Sequence, residues 1–139
     1  MLKNNGFNMD KIIYDNTTKE NIELIRMMND SNLLDEIAKH YNWDDGLDIP
    51  KKIINNSNCD LSTALYIFYC AGGYDYFVDK DGVLNSEDIT RKDFLINLYN
   101  KIVQGDYQNK RLPFAVPLTK VQIYKIRKMN IGLSNIFFD

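Results

Sequence analysis

The sequence predicts an all-α or mainly α fold: a single compact domain of about six helices around one buried central helix. Residues 61–74 contain no charged side chain, which is typical of a helix buried on most sides. Other segments place apolar residues at intervals of three and four, and several follow a residue suited to capping a helix. Residues 12–14 and 137–138 are the two places where short peripheral strands fit the sequence.

The central helix is predicted over residues 61–71. Leu61, Ala64, Leu65 and Phe68 recur at helical spacing, and apolar residues occupy the other faces as well. The segment is shorter than the roughly 20 apolar residues that a membrane-spanning helix needs. Asp60 is suited to cap its first turn, and the glycines at 72–73 are suited to end it.

Three helices are predicted before the central one. The first covers residues 18–29, and the second begins at Asp30 or Ser31 and continues to about residue 41. A polar turn at 42–46 ends it, with a glycine as its last residue. Asp48 is then predicted to cap a short third helix that carries a proline in its first turn, where a missing N–H costs nothing.

Two further helices are predicted after the central one. Residues 75–88 are interpreted as a surface loop, and Thr90 as the start of a helix that Gly105 closes. Residues 112–118 lie between two prolines and are predicted to be extended. Thr119 is predicted to cap a last helix through residue 129. The apolar residues at 136–138 are expected to dock on the core.

The predicted domain covers residues 17–139, after an N-terminal tail of residues 1–16. The N-terminal stretch lacks the long apolar run of a secretion signal, so we expect a cytoplasmic protein. Cys59 and Cys70 lack CxxC spacing and are expected to stay reduced.

Charge is distributed unevenly along the chain. Residues 1–100 carry ten Lys/Arg and 17 Asp/Glu, whereas residues 101–139 carry seven Lys/Arg and two Asp/Glu. Such asymmetry often marks interaction surfaces, although the basic end packing against the acidic body would explain it equally well. The helix at 119–129 is basic, but the slightly acidic whole chain argues against nucleic acid as a partner.

Residues 79–82, Asp-Lys-Asp-Gly, invite comparison with a calcium-binding loop. Counting from Asp79, however, Val83, Leu84 and Thr90 stand where a ligand oxygen, a glycine and a bidentate glutamate are needed. The segment therefore predicts an ordinary surface turn, and the sequence indicates no cofactor.

Two arrangements of residues raise the possibility of catalysis. His40 could act with Cys59 or Cys70 as a nucleophile pair, but a thiol in an apolar helix behaves as a small hydrophobe, and Asp60 disfavours a thiolate beside it. His40 could also act with the carboxylates of the 44–48 turn in a small metal-dependent hydrolase. Carboxylates at such a turn are equally what helix ends require.

Aromatic and acidic residues concentrate around the same turn. Half-buried aromatics next to helix ends serve either in packing or as anchors in protein contacts. An exposed acidic surface there would suit a basic protein partner. The residues that we predict to contact such a partner are Asp35, Glu36, Tyr41, Trp43, Asp44, Asp45 and Asp48.

Four short motifs follow one another in the middle of the chain: Tyr-Asn-Trp-Asp-Asp-Gly at 41–46, Ile-Pro at 49–50, Cys-Asp-Leu at 59–61 and Thr-Ala-Leu at 63–65. In these motifs the sequence resembles a bacterial family of unknown function, the domain of unknown function numbered 4274. A second block at 94–105 extends the resemblance, so that it covers roughly 32–118. Leu47 departs from the pattern, in which an aromatic residue follows the glycine. The resemblance supplies no catalytic residues.

From these observations we expect a non-enzymatic protein that binds another protein. Small single-domain bacterial proteins of this kind are often immunity proteins, which neutralise a toxin by direct binding, and this association favours a toxin as the partner. A small metal-dependent hydrolase and a self-associating accessory domain are the alternatives.

Overall fold

The computed structural model describes residues 18–139, and this part of the chain contains eight α-helices, two short 3-10 helices and no strand. The all-α prediction is therefore confirmed. None of these helices is both long and apolar enough to cross a membrane. The predicted tail at 1–16 and the predicted strand at 12–14 lie outside the described residues. The α-helices are α1 (Thr18–Arg26), α2 (Ser31–His40), α3 (Asp48–Asn55), α4 (Leu61–Cys70), α5 (Gly73–Val78), α6 (Lys80–Leu84), α7 (Ile89–Gln104) and α8 (Lys120–Met129).

Helix α4 is the centre of the fold, as predicted. It packs against α2, α3, α5 and α7, and Ala64, Leu65, Ile67 and Phe68 have no exposed surface. The Phe68 ring is within 5.4–6.5 Å, centroid to centroid, of five other aromatic rings. Burial on this scale, rather than helix propensity, is what stabilises a ten-residue helix.

The carboxylate of Asp60 connects the start of α4 to the long non-helical segment before α8. It accepts hydrogen bonds from the backbone N–H groups of Ser62 at 3.0 Å, Arg111 at 2.8 Å and Leu112 at 3.4 Å. The predicted N-cap is confirmed, and the side chain is 1% exposed. A buried carboxylate is tolerated here because it accepts several N–H bonds.

The prediction of a surface loop at 75–88 is wrong, because helices α5 and α6 occupy most of it. Six of the 14 residues in this segment are charged, but three of its apolar side chains, Tyr76, Phe77 and Val83, are buried and hold the helices on the core. Gly72 takes the left-handed conformation (φ 110°) that separates α4 from α5. Each helix is shorter than two turns, too short for periodicity to reveal it.

Two predicted helix starts are shifted. Asp48 is the first residue of α3 rather than its cap, and Leu47 occupies the cap position without a side-chain hydrogen bond. Helix α7 begins at Ile89, and its cap is Asp88, not Thr90. The two caps lie one and two residues before the predicted positions, a difference that sequence spacing alone does not resolve.

The other predicted helix ends agree better with the structure. Asp30 caps α2, Thr119 caps α8, and Gly105 ends α7 with a left-handed conformation, as predicted. Helix α1 ends at Arg26, earlier than predicted. At the C-terminus Phe137 is fully buried, so the predicted docking is confirmed, but Asn135–Phe137 forms a 3-10 helix rather than a strand.

Candidate functional site: the acidic turn and its pocket

The turn between α2 and α3, residues 41–48, is fixed by its own side chains; we call it the acidic turn. Trp43–Asp45 form a 3-10 helix, and the Asn42 side chain caps it by accepting from the Asp44 N–H at 3.0 Å. Gly46 follows with φ 89°, and its carbonyl accepts a hydrogen bond from the Tyr41 hydroxyl at 2.8 Å. These bonds hold the turn in one conformation although most of it is exposed.

The three aspartates of the acidic turn are accessible to solvent. Asp44, Asp45 and Asp48 are all exposed, and none forms a salt bridge with another residue in the described part of the chain. The pKa of Tyr41 is raised to about 12, first by burial and then by the negative charges of Asp45 and Asp48. The turn is therefore a fixed patch of uncompensated negative charge.

Asp35 does not belong to this exposed surface, which corrects the predicted contact set. It is 8% exposed, and its carboxylate accepts a hydrogen bond from the Thr63 hydroxyl at 2.6 Å and pairs with Lys39 at 2.8 Å. Asp35 thus joins α2 to α4 inside the fold. Glu36, its neighbour in α2, is partly exposed.

A pocket of about 410 Å³ opens beside the acidic turn, between that turn, the end of α4 and the start of α7. Its lining combines apolar residues with two aspartates and one arginine. The lining residues are Trp43, Asp44, Gly46, Leu47, Cys70, Ala71, Asp88, Thr90 and Arg91. The pocket brings together parts of the chain that are separated by up to 48 positions.

Trp43 forms one wall of the pocket. The indole is half-buried and packs edge-on against the Tyr41 ring, with centroids 5.7 Å apart. Its Nε1–H is shielded from solvent and has no hydrogen-bond partner in the described part of the chain. The turn therefore presents the indole as an apolar surface whose polar atom is turned inward.

Arg91 forms another wall, and its guanidinium is already partly engaged. The Nε–H donates to the Ala71 carbonyl at 2.8 Å, and one terminal nitrogen is 4.0 Å from the Asp75 carboxylate. Gly72 makes this position available, because a Cβ there would lie 1.9 Å from a guanidinium nitrogen. Asp88 has no salt-bridge partner among the described residues; its carboxylate accepts only from the Arg91 backbone N–H, at 3.1 Å.

The predicted nucleophile arrangement does not assemble. Cys59 is buried, and burial followed by the charge of Asp60 raises the pKa of its thiol. Cys70 was interpreted from the sequence as a small hydrophobe of the core helix, but it is exposed and lines the pocket. Part of its side chain is still covered by neighbouring residues, and this burial raises the pKa of its thiol. His40 does not line the pocket; its Nδ1 is 2.9 Å from the Glu36 carbonyl oxygen.

The geometry supports neither of the two metal arrangements with which the sequence was compared. Over residues 18–139, no three or more His, Cys, Asp or Glu side chains come together in a way that could hold a metal ion. The Asp79 carboxylate accepts from the Gly82 N–H at 3.3 Å and so caps α6. The segment compared with a calcium loop is thus a helix start.

The basic helix α8 presents an outward face of lysines and exposed apolar residues. Val121 and Tyr124 are 77% and 67% exposed, and Lys120, Lys125 and Lys128 lie around them. Ile126 on the other face is buried. This surface is separate from the residues that line the pocket.

The chain matches a family described as a domain of unknown function (DUF4274) over residues 29–103, more than half of its length. It belongs to that family. No curated protein and no solved structure gave a match. The matched DUF4274 region includes the whole acidic turn and all the pocket residues. The resemblance inferred from the 41–65 motif is confirmed, although the match ends before the predicted limit at residue 118.

Sequence reasoning found the acidic turn but missed the other walls of the pocket. Cys70 and Ala71 were assigned to the core helix and its end, and Asp88 to a loop. Arg91 carried no signal at all, because it follows a helix cap and breaks no periodicity. Only packing of α4 against α7 brings these residues to the turn.

Proposed function

We propose that this DUF4274 protein is a non-enzymatic binding protein that contacts a basic protein partner through the acidic turn. We further propose that the partner is a bacterial toxin, which the protein neutralises in the cytoplasm as an immunity protein. The observation that carries the proposal is the set of three exposed aspartates, without an ion pair within residues 18–139, that lie beside a half-buried tryptophan.

The composition of this surface supports protein binding. Interfaces favour tryptophan and tyrosine as anchors, and charges around them select the partner and accelerate association. Tyr41, Trp43 and Leu47 supply partly exposed apolar area, and Asp44, Asp45 and Asp48 supply the charge. Because hydrogen bonds within the turn already fix its backbone, little conformational entropy would be lost on binding.

The choice of a toxin rests on charge chemistry and on the association of small bacterial single-domain proteins with immunity. A nuclease toxin carries a basic surface to bind phosphates. Asp44, Asp45 and Asp48 present three exposed carboxylates on one short turn, and such a surface would attract them electrostatically. A protein bound to this basic surface would block the access of nucleic acid to the toxin, and the affinity between the two proteins would fall as the salt concentration rises.

Affinity capture of the tagged protein from its own host at low salt, followed by mass spectrometry, tests the proposal. We expect one stoichiometric basic protein. Affinity for that protein should then fall at least about tenfold in Asp44→Lys/Asp45→Lys, together with the salt dependence of binding. A matched control, Asp81→Lys/Asp139→Lys, makes the same change in net charge at exposed positions outside the turn and should bind normally. Equal loss in both variants would remove the acidic turn from the proposal.

The two alternatives have separate tests. A metal-dependent hydrolase built on His40 and the acidic turn would retain metal in an elemental assay of the purified protein, and Asp44→Asn would lower that content. A self-associating accessory domain would elute as an oligomer in sizing with light scattering. For the first alternative, residues 18–139 bring together no group of three or more side chains suited to hold a metal ion.

A further inference from the structure

We propose that the pocket beside the acidic turn receives a single arginine or lysine side chain of the protein partner. This inference rests on the proposed function and adds the chemical identity of the anchor residue. It concerns the 410 Å³ pocket rather than the exposed aspartates as a group.

The charges around the pocket favour a cation. Asp44 and Asp88 both line it, and neither has a salt-bridge partner within residues 18–139. The one cation in the lining, Arg91, donates to the Ala71 carbonyl and has the Asp75 carboxylate 4.0 Å away. The unbalanced charge in the pocket is therefore negative. A guanidinium or ammonium group in the pocket would pair with two carboxylates that form no salt bridge within the described residues.

The apolar part of the lining matches the stem of a long cationic side chain. Trp43, Leu47 and Ala71 provide aromatic and aliphatic surface against which methylene groups can pack. The Trp43 ring can also attract a cation over its face, an interaction worth about 0.5–2 kcal/mol. The volume is near the small end of ligand pockets, which are about 300–1,000 Å³. It therefore suits a side chain with its flanking backbone better than a large cofactor.

An anion is the competing occupant, because Arg91 and the first turn of α7 also border the pocket. That first turn is already capped: Asp88 accepts from the Arg91 N–H and places a negative charge at the dipole end. An added anion would meet Asp44 and Asp88, whereas the one cation of the lining, Arg91, already lies beside the Asp75 carboxylate. The geometry therefore favours the cation.

Trp43 provides a direct assay, because it is the one tryptophan in the chain and lies on the pocket wall. Its fluorescence should change saturably on titration with N-acetyl-arginine amide. The neutral isostere N-acetyl-citrulline amide should bind at least about tenfold more weakly. N-acetyl-glutamate amide should not compete. Saturation with citrulline or glutamate amide at equal concentration, or no saturable change with the arginine probe, would overturn the proposal.

Matched variants locate the binding. Asp44→Asn and Asp88→Asn should each weaken arginine-amide binding several-fold, and asparagine preserves the cap at position 88. Asp81→Asn, which changes an exposed aspartate outside the pocket, should leave it unchanged. Far-UV circular dichroism checks that every variant keeps its helices. If Asp81→Asn weakens binding as much as the pocket variants, the arginine response is nonspecific and the proposal is wrong.

The result separates this proposal from the proposed function. If the arginine probe fails while a captured partner still depends on Asp44 and Asp45, the anchor pocket is wrong and protein binding stands. If the probe binds as expected but no partner is captured, the pocket stands and the proposed function loses its support. If a partner is captured, replacing its contacting arginine with glutamine should reproduce the loss seen with Asp44→Asn.

Discussion

The hydroxyl of Tyr41 donates a hydrogen bond of 2.8 Å to the carbonyl oxygen of Gly46, and this bond closes the acidic turn. It connects the end of α2 to the one residue of the turn with a left-handed φ. The backbone between them carries Asp44 and Asp45. Together with the Asn42 cap, this bond holds the backbone that carries two of the exposed charges, and the proposed contact surface depends on it.

Replacing Tyr41 with phenylalanine removes this bond while keeping the ring that packs against Trp43. We expect the free energy of unfolding to fall by about 1 kcal/mol, the usual net value of one such bond. Urea denaturation measures the change. Tyr124→Phe on the exposed face of α8 is the control and should change stability by less than about 0.5 kcal/mol. Equal stability of both variants would show that the bond does not hold the turn in solution.

Alkaline pH should destabilise the protein through its tyrosines. The pKa of Tyr41 and that of Tyr66 are each raised from 10.0 to about 12, chiefly by burial, and burial also raises those of Tyr69 and Tyr107. A raised folded-state pKa means that the neutral phenol is favoured by folding. Its contribution is complete below pH 10 and is lost as pH rises through about 12.

Urea denaturation at a series of pH values, with absorbance of the tyrosinate ion followed in parallel, measures this effect. The free energy of unfolding should be flat up to about pH 10 and then fall. Tyr41→Phe should make the decline shallower, because one contributing group is gone. If the free energy of unfolding falls with pH just as steeply in that variant, Tyr41 has the same pKa in the folded and unfolded states.

The Asp60 carboxylate should be the most sensitive single polar group of the fold. Three backbone N–H groups donate to the two oxygens of this carboxylate. Asp60→Asn keeps only one of these oxygens as an acceptor and puts an NH2 group, itself a donor, in place of the other. We expect a loss of about 2–4 kcal/mol in unfolding free energy, because buried donors are left without acceptors. Asp88→Asn changes a cap that is exposed and should cost less than about 0.5 kcal/mol. Similar losses in the two variants would contradict the role of burial.

The sequence predicted most of the fold because its strongest signals are local. The central helix, the caps at Asp60 and Thr119 and the stop at Gly105 depend on residues adjacent in the chain. Helices α5 and α6 were missed because what holds them, the contact of Tyr76 and Phe77 with Phe68, is tertiary. Their few apolar residues are hidden among charges.

The candidate site shows the same division. Its acidic turn was predictable, since a cluster of aspartates next to a tryptophan is visible in one short stretch. Asp35 was misassigned because nothing near it in sequence reveals that the Thr63 hydroxyl reaches it from another helix. The pocket needed the packing of α7 on α4, which brings Arg91 beside Cys70, and no local pattern encodes that contact.

The two cysteines should differ sharply in reactivity, and this difference provides a probe of the pocket. Cys70 is exposed, whereas Cys59 is 5% exposed and has a strongly raised pKa. Ellman's reagent should therefore modify one thiol in the native protein and two in denaturant. Because burial also raises the pKa of Cys70, its labelling should accelerate as pH rises above neutral.

Cys70→Ala identifies the reactive thiol, since native labelling should disappear in that variant and persist in Cys59→Ala. Cys70 lies on the pocket wall with Trp43, so attaching the reagent should also change tryptophan fluorescence. An arginine side chain bound in the pocket should slow the labelling of Cys70. It should not change the rate at which the reagent labels a small thiol compound free in solution. Rapid labelling of Cys59 in the folded protein would contradict its burial, and equal labelling rates with and without the arginine probe would place the probe outside the pocket.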